Sequence, residues 1–156
     1  MTTVREVEIV GVRVDMPANQ PLVLLREVGG ARVVPIWIGA VEASAIAFAL
    51  QGTPTARPLT HELMGTLVEA LGDELQRVEI VDVRDGIFYA ELHFESGAVV
   101  EGRPSDGIAL ALRTGATVLV AEDVLDAAGL LPESDEEAEV ERFREFLDDV
   151  DPEDFA

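Results

Sequence analysis

The chain has 156 residues, of which 48% are hydrophobic and 5% aromatic, with no cysteine and a formal net charge of −20. That length suits a single core built from Val, Leu, Ile and Ala, and the chain is too apolar to stay disordered. The missing cysteines exclude disulfide frameworks, thiolate zinc sites and cysteine nucleophiles, and an acidic field of this size opposes the approach of nucleic acid.

Residues 4–15 predict a Val-rich strand with a bulge at Gly11. Residues 17–21 read as a turn, and residues 22–28 and 32–38 as a hairpin through Gly29-Gly30. Residues 41–50, Ala-rich and apolar on all sides, predict a buried helix ended by Gly52. After Pro54, Arg57 and Pro58, Thr60 is the expected N-cap of an amphipathic helix whose stripe is Leu63, Met64, Leu67, Val68 and Leu71. Strands at residues 75–83, 87–94 and 98–101 form a second meander. Pro104 then opens a helix that Gly115 stops, before a short strand at 117–121 and a short helix at 123–128. Runs of strands set apart from runs of helices indicate an α+β fold, antiparallel β-meanders packed with three to four helices, rather than a doubly wound parallel sheet.

Residues 1–131 are read as one domain and 132–156 as an acidic C-terminal tail. From Glu133 to Ala156 there are 12 acidic residues against Arg142 and Arg144, a net of −10. Within that tail Val140, Phe143, Phe146 and Leu147 are spaced for a helix over residues 139–147. No run of about twenty uncharged apolar residues is present, and the start carries no secretion-signal pattern, so a cytoplasmic protein without membrane association is expected.

The chain has no phosphate-binding loop ending in Lys-Ser/Thr, no Gly-x-Ser-x-Gly and no His-Glu-x-x-His. It has two histidines. His93 sits in an alternating strand and is expected to face solvent. His61 follows Arg57-Pro58-Leu59-Thr60 at a helix start, where it is either part of the cap or part of a site. Arg103-Pro104-Ser105-Asp106 opens another helix, whose free N–H groups favour an anion; the alternative is simple capping, with Arg103 paired to an acid. Glu42 begins a third helix, where it offsets the helix dipole or joins a site. Were these helix starts to converge, Glu42, Glu62, Glu101 and Asp106 would offer oxygen ligands for Mg²⁺ or Mn²⁺.

Four segments carry a family resemblance. They are Val34-Pro35-Ile36-Trp37-Ile38-Gly39 with Glu42-Ala43, Arg57-Pro58-Leu59-Thr60-His61-Glu62-Leu63, Gly86-Ile87-Phe88-Tyr89-Ala90, and Arg103 through Arg113. In order and spacing, over roughly residues 4–128, they resemble the bifunctional nuclease family, with Gly107 standing where that family usually has Ala. The resemblance implies an α+β domain, often oligomeric, and degradation of RNA and DNA by some members. A divalent-metal-assisted nuclease is thus one expectation, with His61, Glu62, Asp106 and Glu42 as catalytic residues and Glu42 and Asp106 as metal ligands. Arg57, Thr60, Arg103, Ser105 and Arg113 would bind substrate, in a homo-oligomer. The other expectation is a non-catalytic regulatory module that recognises a small anionic ligand or a basic protein partner.

Overall fold

In the computed structural model, which describes residues 3–131, the two expected meanders are the halves of one mixed sheet. β1 (Val4–Asp15), β2 (Gln20–Glu27) and β3 (Val33–Trp37) pair antiparallel, as do β4 (Leu75–Arg84), β5 (Ile87–Phe94) and β6 (Val99–Gly102). β7 (Thr117–Ala121) lies between the halves, antiparallel to β1 and parallel to β4, giving the order β3-β2-β1-β7-β4-β5-β6. Among the described strands the parallel pair, β4 with β7, joins the two antiparallel meanders that the sequence predicts. It arises because α3 (Pro104–Thr114) carries the chain from β6 back across β5 and β4. The acidic tail and its expected helix lie outside the described residues.

Residues opposed across neighbouring strands share a face. Ile36 opposes Val23 and Val23 opposes Val12, while Val7 opposes Val118, Val118 opposes Val78 and Val78 opposes Leu92, so an apolar row crosses the sheet with a step along β1 from Val12 to Val7. Helices cover that row: Ile46 of α1 (Ala40–Gln51), Ile108 and Leu110 of α3, and Leu125 of α4 (Glu122–Ala128) belong to the same buried cluster. Burying one such side chain contributes about 1.5–3 kcal/mol. The alternate residues Arg77, Glu79, Glu91, His93 and Glu101 lie on the other face, and the expected bulge appears as a register shift between Ile9 and Gly11.

Two helix expectations are corrected. α1 is not buried on all sides: Ala43 and Ile46 are buried, while Val41, Phe48 and Leu50 are exposed, because the helix meets α3, β1 and β2 with its inner face only. Thr60 is the first residue of α2 (Thr60–Ala70), and Leu59 holds the N-cap. Having no side-chain acceptor, Leu59 makes half of a capping box: its backbone N–H donates to the Glu62 carboxylate at 3.3 Å.

α3 lies so close to β4 that a Cβ on Gly107 would stand 2.8 Å from Val78 Cγ1. Val78 is fully buried and stiff at χ1, so it has little room to yield. Gly107→Ala is therefore expected to destabilise by about 1–2 kcal/mol, overpacking outweighing the ~1 kcal/mol gain in helix propensity. Urea denaturation of Gly107→Ala, Val78→Ala and the double variant checks this, the double costing less than the sum of the singles.

The hairpin between β2 and β3 is tied to α4 by a charge network. Arg32 donates to the buried Glu27 at 2.9 Å, to Glu122 at 2.7 Å and to Asp126 at 3.0 Å. The side-chain bond from Arg32 holds the Glu27 carboxyl below its ordinary value despite burial, and bonds from Arg32 and then Arg5 do the same for Glu122. A depressed carboxyl stabilises the fold above its unfolded pKa, about 4.3 for Glu, and loses that contribution as pH falls through the folded value. Urea midpoints measured against pH should therefore drop below about pH 4.3, and the drop should be shallower in Arg32→Ala.

Candidate functional site

The N-termini of three helices meet at one end of the molecule. At the first, Gly39 is the N-cap of α1, and a Cβ there would overlap the Glu42 carboxylate. The missing side chain lets Glu42 fold back over the helix start, where its own backbone N–H, and then the Arg103 bond, hold its carboxyl below the ordinary range. At the second, Arg103 is the N-cap of α3 and Pro104 occupies its first turn. The Arg103 guanidinium donates through Nη1 to Glu42 at 2.7 Å and through Nε to Asp106 at 2.9 Å. Its Nη2 has no acceptor among the described residues, and the side chain is well exposed.

The third start is that of α2, which packs across α3 with Gly65 against Thr114 and Leu110. His61 Nε2 meets Asp106 Oδ1 at 3.0 Å, with the imidazole mostly buried. Burial alone would push the Asp106 carboxyl up, but bonds from Arg103 and His61 outweigh it and hold the group low. An ionised carboxylate can only accept, so this contact fixes the proton on Nε2 of a neutral His61 and leaves the lone pair on Nδ1. The result is one continuous chain, Glu42–Arg103–Asp106–His61, in which acid and base alternate.

Of the expected site residues, Glu42, His61, Arg103 and Asp106 are thus brought together, and Ser105 lines the cleft beside them. Glu62 stands next to His61 but faces Arg113 at 3.9 Å. Arg113 lies seven residues past Asp106 on α3, about 10 Å away along the helix. Arg57 and Thr60 are exposed and make no side-chain bond to the cluster. Glu101, in β6, opposes Glu91 and does not join it.

The two expected metal ligands do not face each other across open space, because the Arg103 guanidinium takes one oxygen of each. Among the described residues, the group whose atoms could hold a metal is Glu79, Glu91 and His93, all within 4.8 Å of one another. That group also corrects the expectation for His93, which is largely buried against its neighbours on the helix-free face. Arg77 Nη2 donates to His93 Nδ1 at 3.1 Å, and Arg can only donate. The proton of His93 is therefore on Nε2, aimed at Glu91 at 3.2 Å and Glu79 at 3.4 Å, so that the ring acts there as a donor rather than a ligand.

A cleft of about 290 Å³ opens beside Arg103, between the β3–α1 junction and the β4–β5 turn, with Ile36, Ile38, Ile87 and Phe88 among its walls. Residue-by-residue reading of the sequence took Ile87 and Phe88 only as strand residues. The available signal was Gly86, whose positive φ of 79° closes the β4–β5 turn that borders the start of α3.

The model of the bifunctional nuclease domain matches residues 23–133, and the chain belongs to that family. Two proteins described as uncharacterised, from the CDC 1551 / Oshkosh and H37Rv strains of Mycobacterium tuberculosis, are each 54% identical to it. Each alignment covers 96% of this chain and 97% of the relative. Because residues 132–156 are 25 of 156, these two alignments include most of the acidic tail, whereas the family match ends at residue 133. No described helix is long and apolar enough to cross a membrane.

The geometry predicts that nitrogen-15 NMR at mildly alkaline pH will find His61 almost wholly as the Nε2–H tautomer. In Asp106→Ala the two tautomers should both be populated; an unchanged spectrum would mean that Asp106 does not orient the ring.

Proposed function

We propose that the protein is a nuclease acting on phosphodiester bonds of RNA, DNA or both, with Glu42, Arg103, Asp106 and His61 as its centre. The observation that carries this is the unbroken bonded run through those four residues, beside a cleft, in a chain of the bifunctional nuclease family. Phosphodiester cleavage needs a base for the attacking hydroxyl and positive charge for the phosphate oxygens. Nδ1 of His61, its lone pair secured by Asp106, takes the proton from the attacking water or ribose hydroxyl, whose oxygen bonds to phosphorus as the bond to the leaving oxygen breaks, and the leaving oxygen takes a proton from solvent. Arg103 Nη2 and the free N–H groups of Ser105 and Asp106 at the start of α3 receive the phosphate oxygens. Glu42 keeps Arg103 in position, and Arg57, Thr60, Glu62 and Arg113 meet the strand beyond the reacting group.

A divalent ion, Mg²⁺ or Mn²⁺, belongs to this proposal as an assistant. Glu42 and Asp106 are ionised oxygen donors of the kind such ions take, and they would hold one if Arg103 moved onto the phosphate. The ion would supply Lewis-acid polarisation of the phosphate. We also propose that the protein is cytoplasmic and self-associates through the exposed apolar residues of α1 and α2, Val41, Phe48, Leu63 and Leu67 among them, which light scattering would reveal as more than one chain per particle.

One observation favours a binding module instead. Two carboxylates bracket the single Arg103, leaving the cluster short of positive charge, which suits a basic protein partner better than an anion. Cleavage of fluorescent single-stranded RNA and DNA with Mg²⁺, Mn²⁺ or EDTA separates the two. His61→Ala and Asp106→Ala should each lose at least about 100-fold in rate with an unchanged melting temperature, and EDTA should abolish the metal-assisted part. Equal rates in wild type and variants would remove the nuclease assignment from these residues.

A further inference from the structure

The cleft beside Arg103 has the two properties that a flat heteroaromatic ring needs. Its walls are apolar: Ile36 and Ile38 are buried, and Ile87, 59% exposed, stands at the mouth. Phe88 lies two residues from Ala90 on β5, which puts its ring on the helix side of the sheet, packed against the edge of the core. At about 290 Å³ the cleft is at the lower end of ligand sites, which run to roughly 300–1,000 Å³, so it suits one ring system rather than an extended ligand.

The polar property belongs to Ser105, which is only 6% exposed. Its hydroxyl has no hydrogen-bond partner among the described residues, yet no fully buried polar side-chain atom there lacks one. Ser105 is one of the residues that line the cleft. Burying a hydroxyl without a partner is costly, and a hydroxyl both donates and accepts, so it can meet the edge of any base.

We propose that this cleft is a nucleobase subsite: one unpaired base lies against Phe88 and the isoleucines, its edge meets Ser105 Oγ, and the attached phosphate falls on Arg103. Identifying the ligand as a nucleotide rests on the nuclease reading above; the apolar walls and the unpartnered hydroxyl do not. A base held in a duplex cannot enter without leaving its stack, so the subsite selects single-stranded or flipped-out nucleotides. Ring stacking is tolerant of base identity, and the site reads unpairedness more than sequence.

The test compares binding of adenosine 5′-monophosphate with ribose 5-phosphate by isothermal titration to the full chain. Wild type should bind the nucleotide at least about tenfold more tightly. Phe88→Leu, which keeps an apolar filling, and Ser105→Ala, which keeps the backbone N–H at the start of α3, should each erase most of that preference while ribose 5-phosphate binding persists and the protein stays folded. Equal affinity for the two phosphates, or a preference that survives both substitutions, overturns the subsite. Base-dependent binding by a protein that cleaves nothing would uphold it and overturn the nuclease reading. Cleavage that depends on His61 in a protein that binds the nucleotide and ribose 5-phosphate equally would do the reverse.

Discussion

The pairing of β7 with both β1 and β4 holds the rest of the structure in place. Without it the chain is two three-stranded meanders, each with an open edge and one apolar face. With Val118 and Val120 inserted, the apolar rows of the two halves join, and a single layer of helices covers both. β7 is reached only through α3, so the length of that helix and the close approach at Gly107 fix where its N-terminus stands. The Arg103–Asp106 end of α3 then faces Gly39, because α1 follows directly from the end of β3 on the other side of the join.

The site depends on charge balance as much as on topology. Arg103 is held by two carboxylates that would otherwise repel each other across the meeting of three helix starts. His61 closes the run through the second oxygen of Asp106, so each member sets the orientation of the next. Such an arrangement supplies a fixed imidazole and an arginine with a spare donor inside a protein whose overall field repels nucleic acid. The proposed contact with phosphate therefore rests on local geometry rather than on net charge.

Much of the fold was legible because its punctuation is local. Gly29-Gly30, Gly52, Pro104 and Gly115 mark ends that the backbone respects, and Val-rich alternation marks the strands. The parallel β4–β7 pair was not legible, since nothing within residues 117–121 says which neighbour they will meet. The outward face of α1 was misread for a related reason: Ala and Leu on all sides look buried until the helix has only one surface to pack on. Glu42, His61, Arg103 and Asp106 could be singled out as polar residues at helix starts. Their joining could not, because it depends on α2 crossing α3. Arg113 and Glu101 looked equivalent in sequence and fall elsewhere, two helical turns along α3 and across the sheet from the cluster.

The bridge between Val33 and Leu130 fixes where the chain leaves the domain: at the edge strand β3, at the end of that strand away from Trp37 and the cleft. Leu130 and Val33 exchange both backbone hydrogen bonds, so the outer edge of β3 is partly covered at its first residue by the chain's own return.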